Sequence, residues 1–330
     1  MSAVTPSART PRDEAALLAL DWGSTHVRAY LLDHQGKVLA ERRGDAGASR
    51  VPRGGFEAAY RALVGDWLGL GLPALACGMV GSAHGWVEAA YVACPARPQQ
   101  LAAILALAGT GDAQVHIVPG LCVDSPLTPD VMRGEETQVF GLLHLHPDLA
   151  GDCTLVMPGT HSKWVRVSEG VVTGFATRMT GEMYAVLREH SVLGRLMAAS
   201  ADATAPEWAA FERGVAAARE GGAGDLLHRL FGIRAFGLRG GLAPAEQADY
   251  LSGLLVGAEM MAGLAAAAPG SPLGLVGDPA LCERYARALQ AWGLTARRFD
   301  DTATVAGLWA VAHAAGLVGS GTGRRQGELQ

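Results

Sequence analysis

The sequence predicts an α/β protein built from two copies of one βββαβαβα unit, arranged as two domains around a central cleft. Three observations carry this. Leu17-Leu-Ala-Leu-Asp21-Trp-Gly23-Ser24-Thr25 opens an apolar strand and a small-residue turn, followed by a second strand, a turn closed by Gly36 and a third strand. Thr154-Leu-Val-Met-Pro-Gly159-Thr160-His161-Ser162-Lys163 begins the same series, this time closed by Gly170, and Gly23 and Gly159 hold matching places. After each triplet, helical and short apolar strand patterns alternate.

The elements read as follows. In the first copy, Gly54–Gly69 places Phe56, Tyr60, Leu63, Val64 and Trp67 on one helical face. A buried strand at Leu72–Val80, a helix at Pro98–Ala108, a strand from Val115 and a helix at Arg133–Leu145 follow. In the second copy, strands at Thr154–Val156, Lys163–Val167 and Val171–Phe175 precede a helical stretch at Thr180–Phe231. Helix Pro244–Ala267, strand Leu273–Asp278, helix Pro279–Trp292, strand Thr295–Phe299 and helix Thr302–Gly316 complete it. Removing the helical stretch restores βββαβαβα. Its length is too great for a plain connection, so it reads as an insertion over part of the active site. Hairpin-joined antiparallel strands followed by helical crossovers to parallel strands form the ribonuclease H-like, actin-like ATPase arrangement. The expected domains are 15–148, mainly for the acceptor substrate, and 149–317, mainly for nucleotide, with the insertion at 180–231 and floppy tails at 1–14 and 318–330.

Bulk composition narrows the function. The 330 residues are 49% hydrophobic and 18% charged, with 44 Gly, which suits compact packing with many tight turns. A net charge of −5 argues against a nucleic-acid partner. The apolar stretch Leu251–Ala268 is broken by Gly257, Glu259 and Gly263, so it reads as buried helix rather than membrane span. The five scattered cysteines form no Cys-x-x-Cys pair and suit reduced thiols in the cytoplasm. Residues 1–13 lack the apolar run of a secretory signal.

Paired small-residue turns are the chemical signal. Gly23, Ser24 and Thr25 on one side, and Gly159, Thr160, His161 and Ser162 on the other, let backbone N–H groups and hydroxyls close on one polyphosphate. Two ordinary polar hairpins explain one copy easily and two matched copies poorly. Lys163 is a candidate charge partner, although a strand lysine usually meets solvent. Asp21, ending a buried strand, is read as a Mg²⁺ ligand against the competing reading of a turn-capping Asp. Glu135 and Glu136 are read as candidates for the base that takes the acceptor hydroxyl's proton, Glu135 ahead of Glu136; acids at a helix start are also common for dipole reasons. Arg133 beside them suits a substrate carboxylate, the transferring phosphoryl group, or plain surface. Gly81 and Ser82 follow the first parallel strand, where ligands gather in such sheets. Trp86 is read as a wall of the acceptor-substrate site, with core packing as its rival, and Thr180-Gly181-Glu182 as a segment closing over the substrate. No Gly-x-x-x-x-Gly-Lys-Ser/Thr loop occurs.

These residues also carry a resemblance. Asp21-Trp-Gly-Ser-Thr, Cys77-Gly-Met-Val-Gly-Ser-Ala-His-Gly-Trp86-Val-Glu-Ala-Ala-Tyr91, Val131-Met-Arg-Gly-Glu-Glu-Thr-Gln138, Met157-Pro-Gly-Thr-His-Ser-Lys-Trp164, Met179-Thr-Gly-Glu182 and His190-Ser-Val-Leu-Gly194 together resemble the 2-dehydro-3-deoxygalactonokinase family of the actin/hexokinase/Hsp70 superfamily. The resemblance spans about Leu17 to Gly316 and departs at Ser24, His26 and Ala90, where the family more often has Thr, Asn and Pro. It implies phosphorylation of 2-dehydro-3-deoxy-D-galactonate at its terminal hydroxyl with ATP and Mg²⁺. It further implies that Tyr91 meets the substrate, that Gly277 makes room for adenosine, and that the base lies at the domain crossover where Glu135 and Glu136 stand. The expected partner is the small sugar acid alone, with a homodimer left open. Two rivals share the superfold: an exopolyphosphatase-like hydrolase, which would need a basic channel, and a non-catalytic actin-like ATP-binding protein.

Overall fold

The computed structural model describes residues 14–199, 205–300 and 302–319. Both expected tails lie almost wholly outside these residues. In chain order the first half runs β1 (Ala15–Trp22), β2 (Val27–Asp33), β3 (Val38–Gly44), α1 (Phe56–Val64), β4 (Ala74–Cys77), β5 (Tyr91–Ala93), α2 (Pro98–Ala102), β6 (Ala106–Ala108), β7 (Val115–Ile117), β8 (Gly120–Val123), β9 (Asp130–Met132) and α3 (Glu135–Leu145). The second half runs β10 (Cys153–Met157), β11 (Ser162–Ser168), β12 (Val171–Arg178), α4 (Thr180–His190), α5 (Trp208–Gly221), α6 (Leu226–Leu238), α7 (Pro244–Ala266), β13 (Leu273–Val276), α8 (Pro279–Gln290), β14 (Arg297–Phe299) and α9 (Ala303–Ala314).

The duplication appears as one strand order used twice. One sheet is β3-β2-β1-β4-β7 with β6 added at its edge, and the other is β12-β11-β10-β13-β14. In each, an antiparallel hairpin partner lies on one side of the central strand and a parallel strand on the other: β1 pairs β2 antiparallel and β4 parallel, as β10 pairs β11 and β13. The central strands are buried on both faces, so they read as continuous apolar runs rather than alternating ones. The match extends to one backbone detail. Gly78 after β4 and Gly277 after β13 have φ of 93° and 130°, which favours glycine. An added Cβ would lie 2.7 Å from the Trp22 carbonyl in the first case and 3.7 Å from the Pro158 carbonyl in the second. Each glycine thus backs onto the residue that precedes the turn glycine, Gly23 or Gly159.

Several expected elements differ. The helix expected over Pro98–Ala108 ends at Ala102, and Ala106–Ala108 instead form β6, antiparallel to β7. The helix expected from Arg133 starts at Glu135. A small sheet, β5-β8-β9, was not foreseen, because strands of three or four residues are too short to show a period. Among the described residues the insertion holds three α-helices rather than one stretch, and α6 extends it to Leu238.

Contacts divide the chain into two compact units. One holds the chain up to Ala150, Gly170–Val172 and the chain from Thr302; the other holds Gly151–Glu169 and Thr173–Asp301. The expected second domain, 149–317, included α9, whereas contacts group α9 with the first unit. The reason is a backbone-to-backbone approach between α3 and α9. A Cβ on Gly141 would lie 1.8 Å from the Ala303 carbonyl, and one on Gly307 1.8 Å from the Thr137 carbonyl. Two glycines on facing helices therefore fix α9 beside the first sheet. The first unit's core includes Trp22, Phe56, Tyr60 and Ile117; the second's includes Val156, Trp164, Phe211 and Met260. Among the described residues no helix is long and apolar enough to cross a membrane.

Candidate active site

At the C-terminal ends of parallel β1 and β4 the first unit forms a cavity of about 190 Å³. Asp21, Gly23, Gly78, Arg133 and Glu135 line it, with Met79, Gly134, Gln138 and Thr304. Asp21 reaches it because it is the last polar position of a buried strand, and it stands opposite Arg28 in the β1–β2 register. Glu135 reaches it from the first turn of α3, and its Oε2 accepts the backbone N–H of Arg133 at 3.1 Å. Two carboxylates from distant parts of the chain thus share one glycine-lined concavity. A larger cavity of about 530 Å³ is walled by His34, His144, His313 and Trp309 and is lined by no carboxylate.

The adjacent acids are not equivalent. Glu136 has no exposed surface; its Oε2 accepts the Gly134 N–H at 2.6 Å and its Oε1 the Thr137 hydroxyl at 2.9 Å. Burial first, and then the neighbouring Glu135 charge, push its carboxyl from 4.5 up to about 8. A carboxyl whose folded pKa is raised adds stability that is complete below about 4.5 and is lost as pH rises through about 8. Glu136→Gln is therefore expected to lose less stability than wild type on going from pH 5 to 8.5. Urea unfolding at the two pH values measures this; identical pH profiles for the two proteins would overturn it.

Arg133 is about nine-tenths buried. Its Nη2 donates to the Ala89 carbonyl at 2.7 Å and its guanidinium lies 4.3 Å from the centre of the Tyr91 ring. Among the described residues its buried Nε and Nη1 have no hydrogen-bond partner, and neither has the buried Thr304 hydroxyl on the same cavity wall. Buried polar groups in that state are costly unless a ligand or water completes them. Gly81 packs on this guanidinium: a Cβ there would lie 3.0 Å from Nη1. Ser82 closes the neighbouring turn, its N–H donating to the Met79 carbonyl and its carbonyl accepting from Gly85. Trp86 belongs to an aromatic cluster with Trp22, Phe56 and Tyr60, at centroid distances of 6.1, 6.5 and 5.8 Å. It is half-buried and is not among the residues lining the cavity beside Asp21.

The two small-residue turns differ in their hydroxyls. Ser24 and Thr25 are exposed, and the Thr25 hydroxyl lies 2.9 Å from His26 Nδ1. The backbone of Gly23 and Ser24 is braced by Ala48 and Ser49, whose N–H groups donate to their carbonyls. In the second unit Thr160 and His161 are exposed, but Ser162 and Lys163 are buried. The Ser162 hydroxyl points inward to Tyr285 at 2.8 Å, and Lys163 Nζ reaches back to the His161 carbonyl at 3.2 Å. The start of α4 sits on this turn: the Glu182 N–H donates to the Thr160 carbonyl at 3.0 Å and its carboxylate meets His161 Nε2 at 2.5 Å. Gly159, Thr180, Gly181 and Tyr285 line a cavity beside it, with Leu255 and Leu281 among its apolar walls. Gly277 faces the Pro158 carbonyl next to the turn, and Asp278 caps α8 by accepting the Ala280 and Leu281 N–H groups.

Sequence reasoning did not single out Gly78, Gln138, Thr304 or Tyr285. Gln138 is one turn after Glu135 on α3, a spacing that offered a signal; Thr304 comes from the far end of the chain and left none.

Among the described residues no group of three metal-ligating side chains could hold an ion. Asp21 in a cavity open to a polyanion nevertheless suits Mg²⁺, which binds through one or two carboxylates, water and substrate phosphates rather than a protein cage.

Two units that share one strand order define a duplicated α/β fold. The family model for 2-keto-3-deoxy-galactonokinase matches residues 21–311. The protein "Probable 2-dehydro-3-deoxygalactonokinase DgoK1" of Rhizobium meliloti is 39% identical over 302 residues, covering 90% of this chain and 96% of that one. The 2-dehydro-3-deoxygalactonokinase of Escherichia coli is 35% identical over 303 residues, covering 91% and 98%. A crystal structure of a Sinorhizobium meliloti protein assigned to 2-dehydro-3-deoxygalactonokinase superposes with a TM-score of 0.81 at 38% identity, covering 90% of this chain and 98% of that one. The chain belongs to the 2-keto-3-deoxy-galactonokinase family.

Proposed function

We propose that this protein transfers the γ-phosphoryl group of ATP to the terminal hydroxyl of 2-dehydro-3-deoxy-D-galactonate. Beyond family membership, the observation that carries the residue-level reading is the meeting of Asp21 and Glu135 in one glycine-lined cavity. Glu135 takes the proton of the acceptor hydroxyl as that oxygen attacks phosphorus. Arg133, held against Tyr91, receives the substrate carboxylate, and Ser82 lies on the loop that covers it. Ser24 and Thr25 present hydroxyls to the phosphoryl group. Asp21 would hold Mg²⁺, which neutralises phosphate charge when bound. The second unit takes the nucleotide: phosphates at Gly159–His161, adenosine beside Gly277, and the Thr180–Glu182 segment against the same turn. Protein groups here align reactants and offset charge rather than form covalent bonds, and alignment alone supplies about 7–11 kcal/mol in favourable cases. Use of ATP and five free cysteines suit the cytoplasm. A coupled ADP-release assay across 2-oxo-3-deoxy sugar acids tests the activity; ADP release no faster than with water alone for every acid would overturn it.

Gly159 offers a separate test of the nucleotide site. Among the described residues no atom outside its chain neighbours lies within 4 Å of the position a Cβ would take, so Gly159→Asp is expected to fold. Its new charge would face the phosphates and raise the KM for ATP about 100-fold. Unchanged ATP affinity in this variant, with the circular dichroism of wild type, would remove the turn from the nucleotide site.

A further inference from the structure

The inward-facing Ser162 hydroxyl raises the question of what holds the second turn in shape. We infer that Glu259, on α7, is the positioning residue of that turn, keeping Gly159–Ser162 in the form that receives nucleotide phosphates. The inference rests on the nucleotide-site reading given above.

Glu259 is only 4% exposed. Its Oε1 accepts the Trp164 indole N–H at 2.7 Å; its Oε2 accepts the Tyr285 hydroxyl at 2.7 Å and the Ser162 hydroxyl at 3.2 Å. Ser162 and Tyr285 are themselves 2.8 Å apart, closing a triangle of oxygens. Among the described residues no Lys or Arg forms an ion pair with Glu259, so three neutral donors compensate the group. A buried carboxylate satisfied in this way is a poor route to stability, since apolar replacements of similar volume are often as stable. What it supplies is direction. Ser162 and Trp164 alternate on one face of β11, immediately after the turn, and both are drawn to the same carboxylate. One helical turn beyond Glu259, a Cβ on Gly263 would lie 2.4 Å from the Trp164 ring, so α7 lies flush against the indole whose N–H Glu259 receives.

The second arm runs through Tyr285. Burial, and then the Glu259 charge, raise its phenol well above the ordinary value, so the hydroxyl stays a donor. Thr180, the first residue of α4, lines one cavity with this tyrosine and acts to lower its phenol's pKa. The next residue, Gly181, backs onto the turn so closely that a Cβ would lie 2.4 Å from the Gly159 carbonyl. The Glu182 N–H then holds the Thr160 carbonyl. Glu259 therefore fixes the turn from the β11 side directly and from the α4 side through Tyr285.

Ser162→Ala is the sharpest test, because it removes the link to Glu259 while the lost hydroxyl is too buried to touch a ligand. The KM for ATP is expected to rise about tenfold, with the sugar-acid KM and the melting temperature close to wild type. Glu259→Ala should raise it further. Glu259→Gln should restore most of the affinity, since its amide oxygen can still accept the Trp164 N–H and both hydroxyls can turn to accept its NH₂. The Trp164 indole N–H resonance should shift on ATP addition in wild type and respond less in Ser162→Ala. If Ser162→Ala and Glu259→Gln lower melting temperature with the KM for ATP unchanged, while Gly159→Asp abolishes ATP binding, Glu259 is structural only and the inference is overturned. If Gly159→Asp also binds ATP normally, the nucleotide reading of the turn fails and this inference fails with it.

Discussion

Glu135→Gln is expected to lower kcat about 10²–10⁴-fold, the range for loss of a positioned base, with the KM for ATP little changed. The carboxylate sits in the first turn of α3, braced by the Arg133 N–H, and lines the cavity that Asp21 also lines. Gln keeps the size and the acceptor oxygen but cannot take a proton. Glu136→Gln supplies the contrast: its carboxylate is fully buried, bonded to Gly134 and Thr137, and raised to about 8, so turnover should stay near wild type. Steady-state kinetics on the two single variants and the double variant decide the matter. If Glu136→Gln alone loses turnover, the base is one residue on. If all three keep normal turnover, no carboxylate at this helix start acts as base and the proposed chemistry fails.

Asp21→Asn is expected to lower kcat about 10²–10³-fold at saturating ATP and Mg²⁺, the scale for losing one preorganised electrostatic contact to a transferring group. Asn preserves shape at the end of β1, so circular dichroism should match wild type. The Mg²⁺ concentration needed for half-maximal rate should rise as well, because the amide is a weaker ligand for a hard cation than a carboxylate. Wild-type kcat and Mg²⁺ dependence in Asp21→Asn would remove Asp21 from the site.

Much of the architecture was legible because it is written in local pattern. Two apolar strand–turn–strand series, each closed by a glycine, announce a duplicated hairpin, and both sheets carry the same strand order. The small sheet and β6 were not legible, since three-residue strands have no period and are formed by pairing with distant neighbours. The helix at Pro98–Ala108 failed for the same reason: Ala106–Ala108 gain more from pairing with β7 than from a further helical turn.

The candidate site divides along the same line. Glycine turns, strand-end Asp21 and the acidic start of α3 stand out as residue types in order along the chain. Which of two adjacent glutamates faces the cavity depends on how α3 is rotated against β4 and α9, which the letters Glu135-Glu136 do not encode. Trp86 is an aromatic after a glycine loop in sequence, and a member of the Trp22–Phe56–Tyr60 cluster in space. Ser162 looks like the fourth residue of a phosphate turn until a carboxylate 97 positions away draws its hydroxyl inward. Local sequence settles where a chain turns, which strands are buried and where charge is placed, because short-range sterics and apolar periodicity act within a few residues. The direction of a side chain, its neighbours and its state of ionisation depend on contacts between segments far apart, and these exist only once β11, α7 and α8 have packed.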